Sequence, residues 1–422
     1  NLANIRSGEF EGMLEKLQLP EWKPDYGPGN PHVSAGVTAI GARNFLIAYN
    51  INLNTKDKKI ATDISLDIRE QGRNKRDEHG KFVRDKNGIP IKSPGILKSC
   101  KAVGWYIDEY GVAQVSINLT NFNETPPHVA FEETRKQARK RGVRVSGSEL
   151  VGLIPLDAMI SAGKYYLQKQ NRSTGIPVKD IIHIAVKSMG LDDLSPFNPN
   201  EKIIEYRVSN QFGPLASKTL HEFSDELSSD SPAPGGGSVA ALAGTLGASL
   251  SSMVANLTFG KKKWEPIYAE MCKISEDSQT LKDKLLKLID EDTNVFNSVL
   301  EAYRLPTKTK DQKNYKNKAV LEGMRNAVDI PFNIIKYCYK VLECVSKVIK
   351  NGNPNAISDA GVAAEIAYAG LRGALLNVEI NLKKIDDIDY CNDIRKQSDK
   401  FSLKAEKILF NIREIVSQKI DG

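Results

Sequence analysis

Apolar residues recur along this chain with two periods, and the change from one to the other divides it. In "NFLIAYNINL" (44–53) they alternate and cluster as in a strand, whereas Ile60, Ile64 and Ile68 fall four apart on one face of a helix. "AVGWYIDEYGVAQVSINL" (102–119) predicts two strands joined at Glu109, Tyr110 and Gly111, where the glycine tolerates the turn. A helix is expected over 128–141, an extended segment over 143–155, and helices over 156–170 and 178–189. The order β-α-β-β-α-β is that of a split βαβ, ferredoxin-like sheet with helices on one face. Residues 71–98, rich in Gly, Lys, Asp and Pro, interrupt it as a long inserted loop, and such loops are usually functional or mobile.

Beyond "NQFGPLASKT" (209–218) the strand signals stop. The remainder of the chain has the i, i+3, i+4 spacing of helices, with Pro306, Pro331 and Pro354 at expected helix boundaries. The predicted architecture is therefore multidomain: an α+β domain over 1–208, a linker over 209–218, and an all-α helical bundle over 219–422.

One stretch of the second half, "SPAPGGGSVAALAGTLGASLSS" (231–252), joins three consecutive glycines to a long uncharged run. It has neither the Walker spacing nor the dinucleotide-binding GxGxxG, and a helical pattern, "TLHEFSDELSS", precedes it instead of a strand. A membrane span needs about 20 strongly apolar residues, and 238–257 is mostly Ala, Gly and Ser. Small residues at Gly244, Gly247, Ala248 and Ser251 allow another helix to approach closely. A buried helix in a tight bundle or dimer is expected, with Gly235–Gly237 as the turn that bares its first amides toward an anionic group.

Composition narrows the classes. The 422 residues, 41% hydrophobic and 26% charged, are ordinary for a globular chain of several domains. The net charge of +7 is mild, and the basic runs at 135–144 and 261–263 read as solvated helix ends or as attractors for a small polyanion. No basic stripe interleaved with aromatics suggests nucleic acid. Five cysteines without ligand spacing predict neither a disulfide framework nor a zinc site, which fits a reducing, cytoplasmic setting. His79, His128, His183 and His221 are scattered, so no metal is assigned. The start, "NLANIRSGEFEGM", lacks the apolar core of a signal peptide and an initiator Met, so the chain is expected to begin inside a longer protein.

The strongest candidate for chemistry is Asp292. At about 100° per residue, Leu281, Leu285, Leu288, Ile289, Val295, Phe296 and Val299 form one stripe with Asp292 in its middle, while Asp290 points to the opposite side. A carboxylate on an apolar face must find partners or have its pKa raised. Raised toward neutrality it becomes an acid/base group; the alternative is an Asp that caps a helix or pairs with a Lys.

"APGGGSVAA" (233–241), "LIDEDTNVFNSVLEAYRLP" (288–306) and "NLKKI" (381–385) resemble the cyclodeaminase domain of the formimidoyltransferase-cyclodeaminase family. In the first half, "PDYGPGNPHVSAGVTAIGARNFLIAYNINL" (24–53), "REQGR" (69–73), "GWYIDEYGVAQVSINL" (104–119), "ELVGLIP" (149–155) and "KIIEYRV" (202–208) are similar to the C-terminal subdomain of its transferase domain. The likeness is colinear over nearly the whole chain. It implies that the N-terminal transferase subdomain, which carries the family's catalytic His, is missing. It gives Asp292 the acid/base role in closing 5-formimidoyltetrahydrofolate to 5,10-methenyltetrahydrofolate with release of ammonia.

The resemblance carries the folate-binding loop onto Gly27, Pro28, Gly29, Asn30 and Pro31, then His32, Val33, Ser34, Ala35 and Gly36, and onto Gly95, Ile96 and Leu97. His32 is taken as a loop histidine. Tetrahydrofolate enters as co-substrate with N-formimidoyl-L-glutamate as the other partner, no bound cofactor or metal is implied, and a homo-oligomer, a dimer or ring of dimers, is expected. Ser358 and Asp359 cap a helix or touch ligand. Asn377 and Asn381, at i and i+4, tie helices or read a pterin edge. Lys261 either attracts a glutamate tail or is solvated. A methenyltetrahydrofolate cyclohydrolase and a non-catalytic folate-binding or assembly module are the alternative functions.

Overall fold

Alternation in Ile47–Leu53 (β1) puts Ile47, Tyr49, Ile51 and Leu53 on one buried face. In the computed structural model, which describes residues 2–208 and 213–421, β1 is an inner strand. It pairs antiparallel with Val112–Leu119 (β3) on one side and Val145–Val151 (β4) on the other, and Cys100–Ile107 (β2) pairs antiparallel with β3. The sheet order is β2-β3-β1-β4. Helix α1 (Lys58–Ile68) connects β1 to the parallel β2, and α2 (Pro127–Lys140) connects β3 to the parallel β4. Both lie on the Ile47 face, with α3 (Leu156–Lys169) and α4 (Val178–Met189) completing the same core through Met159, Ile182 and Met189. An α+β region ahead of a helical one is the arrangement expected.

Two glycines are set by close approach. A side chain at Gly104 of β2 would strike the α1 backbone, its Cβ only 2.1 Å from Thr62 N, and one at Gly163 of α3 would lie 2.1 Å from Ile181 O.

The inserted loop is more ordered than its composition suggests. Arg73–Asn74 and Lys92–Ser93 pair antiparallel, and between them two turns repeat one chemistry. Asp77 accepts from the amides of His79 and Lys81, and Asp85 from those of Asn87 and Ile89. Arg76 donates to Gly80 O and Arg84 to Gly88 O, with the two glycines at φ +78° and +79°. The repeat is visible in the sequence as "RDEHGK" and then "RDKNGI".

After Gly213 the chain is helical: α5 (Leu220–Leu227), α6 (Gly236–Asn256), α7 (Tyr268–Arg304), α8 (Lys310–Asn351), α9 (Ile357–Leu382) and α10 (Ile388–Asp421). The uncharged α6 is long and apolar enough to cross a membrane, yet most of it is buried against α7, α8 and α9. Its small residues permit the close helix packing expected of them. A Cβ on Gly244 would lie 2.6 Å from Cys338 Sγ, and one on Gly370 of α9 would lie 2.7 Å from Ala240 O. Pro306 and Pro354 fall outside the long helices, but Pro331 lies inside α8 and is no boundary.

The sheet region and the helices meet through polar contacts. Gly175 O accepts from Ser252 Oγ (3.1 Å) and Asn256 Nδ2 (2.9 Å), and Lys164 pairs with Glu276 at 2.6 Å. Of the expected linker, 209–212 lie outside the described residues. Leu215 and Ala216 donate their amides to Asp290 at 2.7 and 3.1 Å, so Asp290, on the far side of α7 from Asp292, is buried and fastens the connection. Residues 1–46 form a separate unit with short helical turns at Leu2–Ile5, Met13–Lys16 and Pro20–Trp22.

Candidate active site

The three glycines open α6. Gly235 precedes it in extended conformation, and Gly236 and Gly237 form its first turn. A Cβ on Gly237 would stand 2.1 Å from Asp292 Oδ1, and one on Gly236 would be 3.5 Å from Asn377 Nδ2. The glycines thus let α7 and α9 press an Asp and an Asn against the start of α6. The anionic group expected there belongs to the protein itself: Asp292 accepts from the hydroxyl of Ser238 (3.2 Å) and from its amide.

Asp292 lies where the apolar stripe of α7 leaves the core. Leu281, Leu285, Leu288 and Ile289 are buried, whereas Val295, Phe296 and Val299 form the wall of an open cleft of about 330 Å³. Met324, Ala327 and Ile330 of α8 make a second wall, and Asn377 and Asn381 of α9, with Lys384 just beyond, a third. Half-buried, Asp292 has its pKa pushed up by burial, while the Ser238 hydroxyl and amide pull it down. Ser238 is fully buried, and its single hydroxyl proton is shared between two near acceptors, Ile289 O at 2.9 Å and Asp292 Oδ2 at 3.2 Å, with Thr293 Oγ1 farther off at 3.5 Å. Turned to Asp292 it supports the carboxylate; turned to Ile289 O it leaves a lone pair for the protonated form.

Pro331 contributes from a distance. Proline has no N–H, so Ala327 O four residues earlier lacks its helical donor. Asn381 Nδ2 supplies the missing bond at 2.6 Å. Of the two readings of Asn381, the tie between helices is therefore present, and the residue also lines the cleft.

In the first unit, His32 and Gly36 pair through their backbones, and His32 Nδ1 accepts from the amides of Ser34 (3.3 Å) and Ala35 (3.1 Å), closing a turn. Gly95, Ile96 and Leu97 cross the end of α1, where their amides donate to Glu70 O, Asp67 O and Ile68 O. Those amides are therefore unavailable to a flat ring. Gly95 is required because its Cβ would lie 2.0 Å from Arg69 O. Lys261 and Lys263 place their ammonium groups over Trp264, and Lys261 does not line the cleft. Neither Ser358 nor Asp359 caps α9, because a 3-10 turn at Pro354–Ala356, capped by Asn353, runs into it. Among the described residues, no three or more His, Cys, Asp or Glu side chains group as metal ligands. Ser238 and Lys384 were not singled out from sequence, although both sit inside the quoted segments.

Ser238→Ala removes one of the two bonds that hold down the Asp292 pKa. If catalysis needs the ionised form, the acid limb of kcat/KM moves to higher pH. An unmoved limb would show that the hydroxyl does not support the carboxylate.

Three family models account for most of the chain: "Formiminotransferase domain, N-terminal subdomain" at 1–43, "Formiminotransferase domain" at 48–209, and "Formiminotransferase-cyclodeaminase" at 219–400. The first overturns one expectation. The N-terminal transferase subdomain is represented here, and Gly27–Gly36 fall in that match, ahead of the domain to which the resemblance had assigned them. A formimidoyltransferase-cyclodeaminase of Sus scrofa is 39% identical over 94% of this chain and 70% of its own length. A methenyltetrahydrofolate cyclohydrolase of Methylorubrum extorquens is 38% identical over 49% of this chain and 99% of its own. A glutamate formimidoyltransferase of Streptococcus pyogenes is 41% identical over 40% and 50%. The models on both halves and the length shared with the porcine relative place this chain in the formimidoyltransferase-cyclodeaminase family.

Proposed function

We propose that the protein is a bifunctional folate enzyme of histidine degradation. Its transferase part moves the formimidoyl group of N-formimidoyl-L-glutamate to tetrahydrofolate, and its helical part closes 5-formimidoyltetrahydrofolate to 5,10-methenyltetrahydrofolate and ammonia. The observation that carries the second activity is Asp292, held by the first turn of α6 in the wall of a largely apolar cleft.

In the ring closure, N10 attacks the formimidoyl carbon of the cationic amidine. The ionised Asp292 takes the proton from N10, and the same carboxyl then delivers it to the exocyclic nitrogen, which departs as ammonia. The C–N10 bond forms, the C–NH₂ bond breaks, the cationic charge stays on the methenyl product, and Asp292 ends ionised as it began. One group serves as base and then acid, so its pKa must lie within reach of both states. Burial raising it and Ser238 lowering it supply such a balance.

The likeness of residues in the helical half to a cyclohydrolase favours one alternative, water attack on the methenyl bond at the same carboxylate. Incubating the full chain with 5-formimidoyltetrahydrofolate separates them. Ammonia and methenyl absorbance appearing in equal amounts is the expected result; no ammonia from this substrate, with hydrolysis of 5,10-methenyltetrahydrofolate supplied separately, would sink the deaminase reading. N-Formimidoyl-L-glutamate with tetrahydrofolate tests the transferase in the same assay. Self-association is part of this proposal, supported by the exposed Leu246 and Met253 on α6 and Leu257 just past its end; a sedimentation mass of one chain would count against it.

A further inference from the structure

We propose that α9 and the residues past its end fix the direction in which folate lies: Asn377 and Asn381 accept hydrogen bonds from the N–H edge of the pterin, and Lys384 holds a carboxylate of the glutamate tail. The inference rests on the Asp292 cleft being a folate site and names how that site reads its substrate.

The orientation of both amides is set by their partners. Asn377 Nδ2 donates to Gly373 O at 2.9 Å, and Asn381 Nδ2 to Ala327 O at 2.6 Å. Carbonyl oxygens only accept, so each amide must turn its nitrogen to them and its oxygen away. Both side chains line the cleft, which therefore receives two acceptors about one helical turn, roughly 5 Å, apart. Such a pair selects a ligand edge made of donors. The 2-amino group and ring N–H groups of a reduced pterin form that edge, and Phe296 and Met324 offer apolar surface to the ring. Asn377 abuts Gly236 and Asp292 abuts Gly237, so a ring read by Asn377 lies beside the acid/base carboxylate.

Lys384 sits in the turn that follows α9, seven residues beyond Asn377, so the helical rise carried on to it gives about 10 Å, the scale of a p-aminobenzoyl group and the first carboxylate after it. Its side chain is exposed, and it forms no ion pair among the described residues. A second cavity, of about 640 Å³, opens at this end and shares Tyr303, Met324 and Lys384 with the first. It carries Lys316, whose ammonium donates to Tyr303 O, and Arg325, which is paired with Asp387 at 2.9 Å. Asp386 is the opposing charge there. Two cations without carboxylate partners among the described residues, along a groove leading out of the cleft, suit a run of carboxylates, and a γ-linked glutamate chain supplies one.

The test compares the 5-formimidoyl derivatives of tetrahydropteroate, which has no glutamate, and of the mono- and pentaglutamate. In Lys384→Met, the ratio of kcat/KM for pentaglutamate over pteroate is expected to fall about tenfold through KM, the effect of one charge-assisted contact, and Lys384→Arg is expected to restore most of it. Asn377→Ala is expected to lower kcat/KM about tenfold or more on all three substrates, with the ratio among them kept. A Lys384→Met loss that is equal on pteroate and pentaglutamate, or an Asn377→Ala loss confined to glutamylated substrates, would overturn the orientation. Unchanged KM and kcat on all three substrates in both Lys384→Met and Asn377→Ala would instead strike the folate-site reading beneath it.

Discussion

Asp292→Asn is expected to lower kcat for ammonia release by roughly 10²–10⁴-fold, the contribution of a positioned acid/base group, while the protein folds and binds folate. The substitution is nearly isosteric. The Ser238 hydroxyl and amide can still donate to the remaining Oδ1, so the carboxamide keeps the place that the Gly237 gap provides. What it cannot do is take a proton from N10. Because the wild-type carboxylate is partly desolvated, removing its charge leaves no unpaired ion in the wall, and the melting temperature should change little. Single-turnover measurements with 5-formimidoyltetrahydrofolate separate the slowed chemical step from binding. Turnover within a few-fold of wild type would mean that another group moves the proton, and the proposed mechanism would fall.

How much was legible in sequence depends on whether a feature's partners were near in the chain. The strands and helices of the first half were, because alternation in 47–53 and four-residue spacing in 58–68 are local consequences of burying one face. The place of Asp292 on the apolar face of α7 was legible for the same reason, since an acidic residue inside an apolar stripe is visible on a helical wheel. The burial of Asp290 was not, because its partners, the amides of Leu215 and Ala216, lie far back in the chain. Pro331 misled because the rule that proline ends a helix presumes the orphaned carbonyl stays unsatisfied, and Asn381, from another helix, satisfies it. The glycines at 235–237 were read as baring amides toward an anionic group, which Asp292 supplies. The absent Cβ at Gly237 matters more, and only the packing of α7 against α6 reveals it. Lys384 became meaningful once two cavities were seen to meet beside it.

Gly237→Ala tests that packing, because local helix preference and site geometry pull in opposite directions. Alanine favours a helix over glycine by about 1 kcal/mol, so on local grounds the variant should be stabilised. Its Cβ, however, would stand 2.1 Å from Asp292 Oδ1 and 2.5 Å from Cγ, where carbon contacts normally begin at roughly 3.5 Å. Either Asp292 swings away from Ser238 or the start of α6 moves off α7, at a cost of about 1–3 kcal/mol for an overpacked site. The two terms nearly cancel in stability, but in activity they do not, since both escapes take the carboxylate from its place. A loss of kcat on the order of 10²-fold is expected, with a melting temperature within a few degrees of wild type. Gly236→Ala is the matched comparison: its Cβ would meet Asn377 Nδ2 at an ordinary 3.5 Å, so a much smaller loss is expected. Equal effects of the two substitutions, or full turnover in Gly237→Ala, would show that Asp292 does not work from the position against α6.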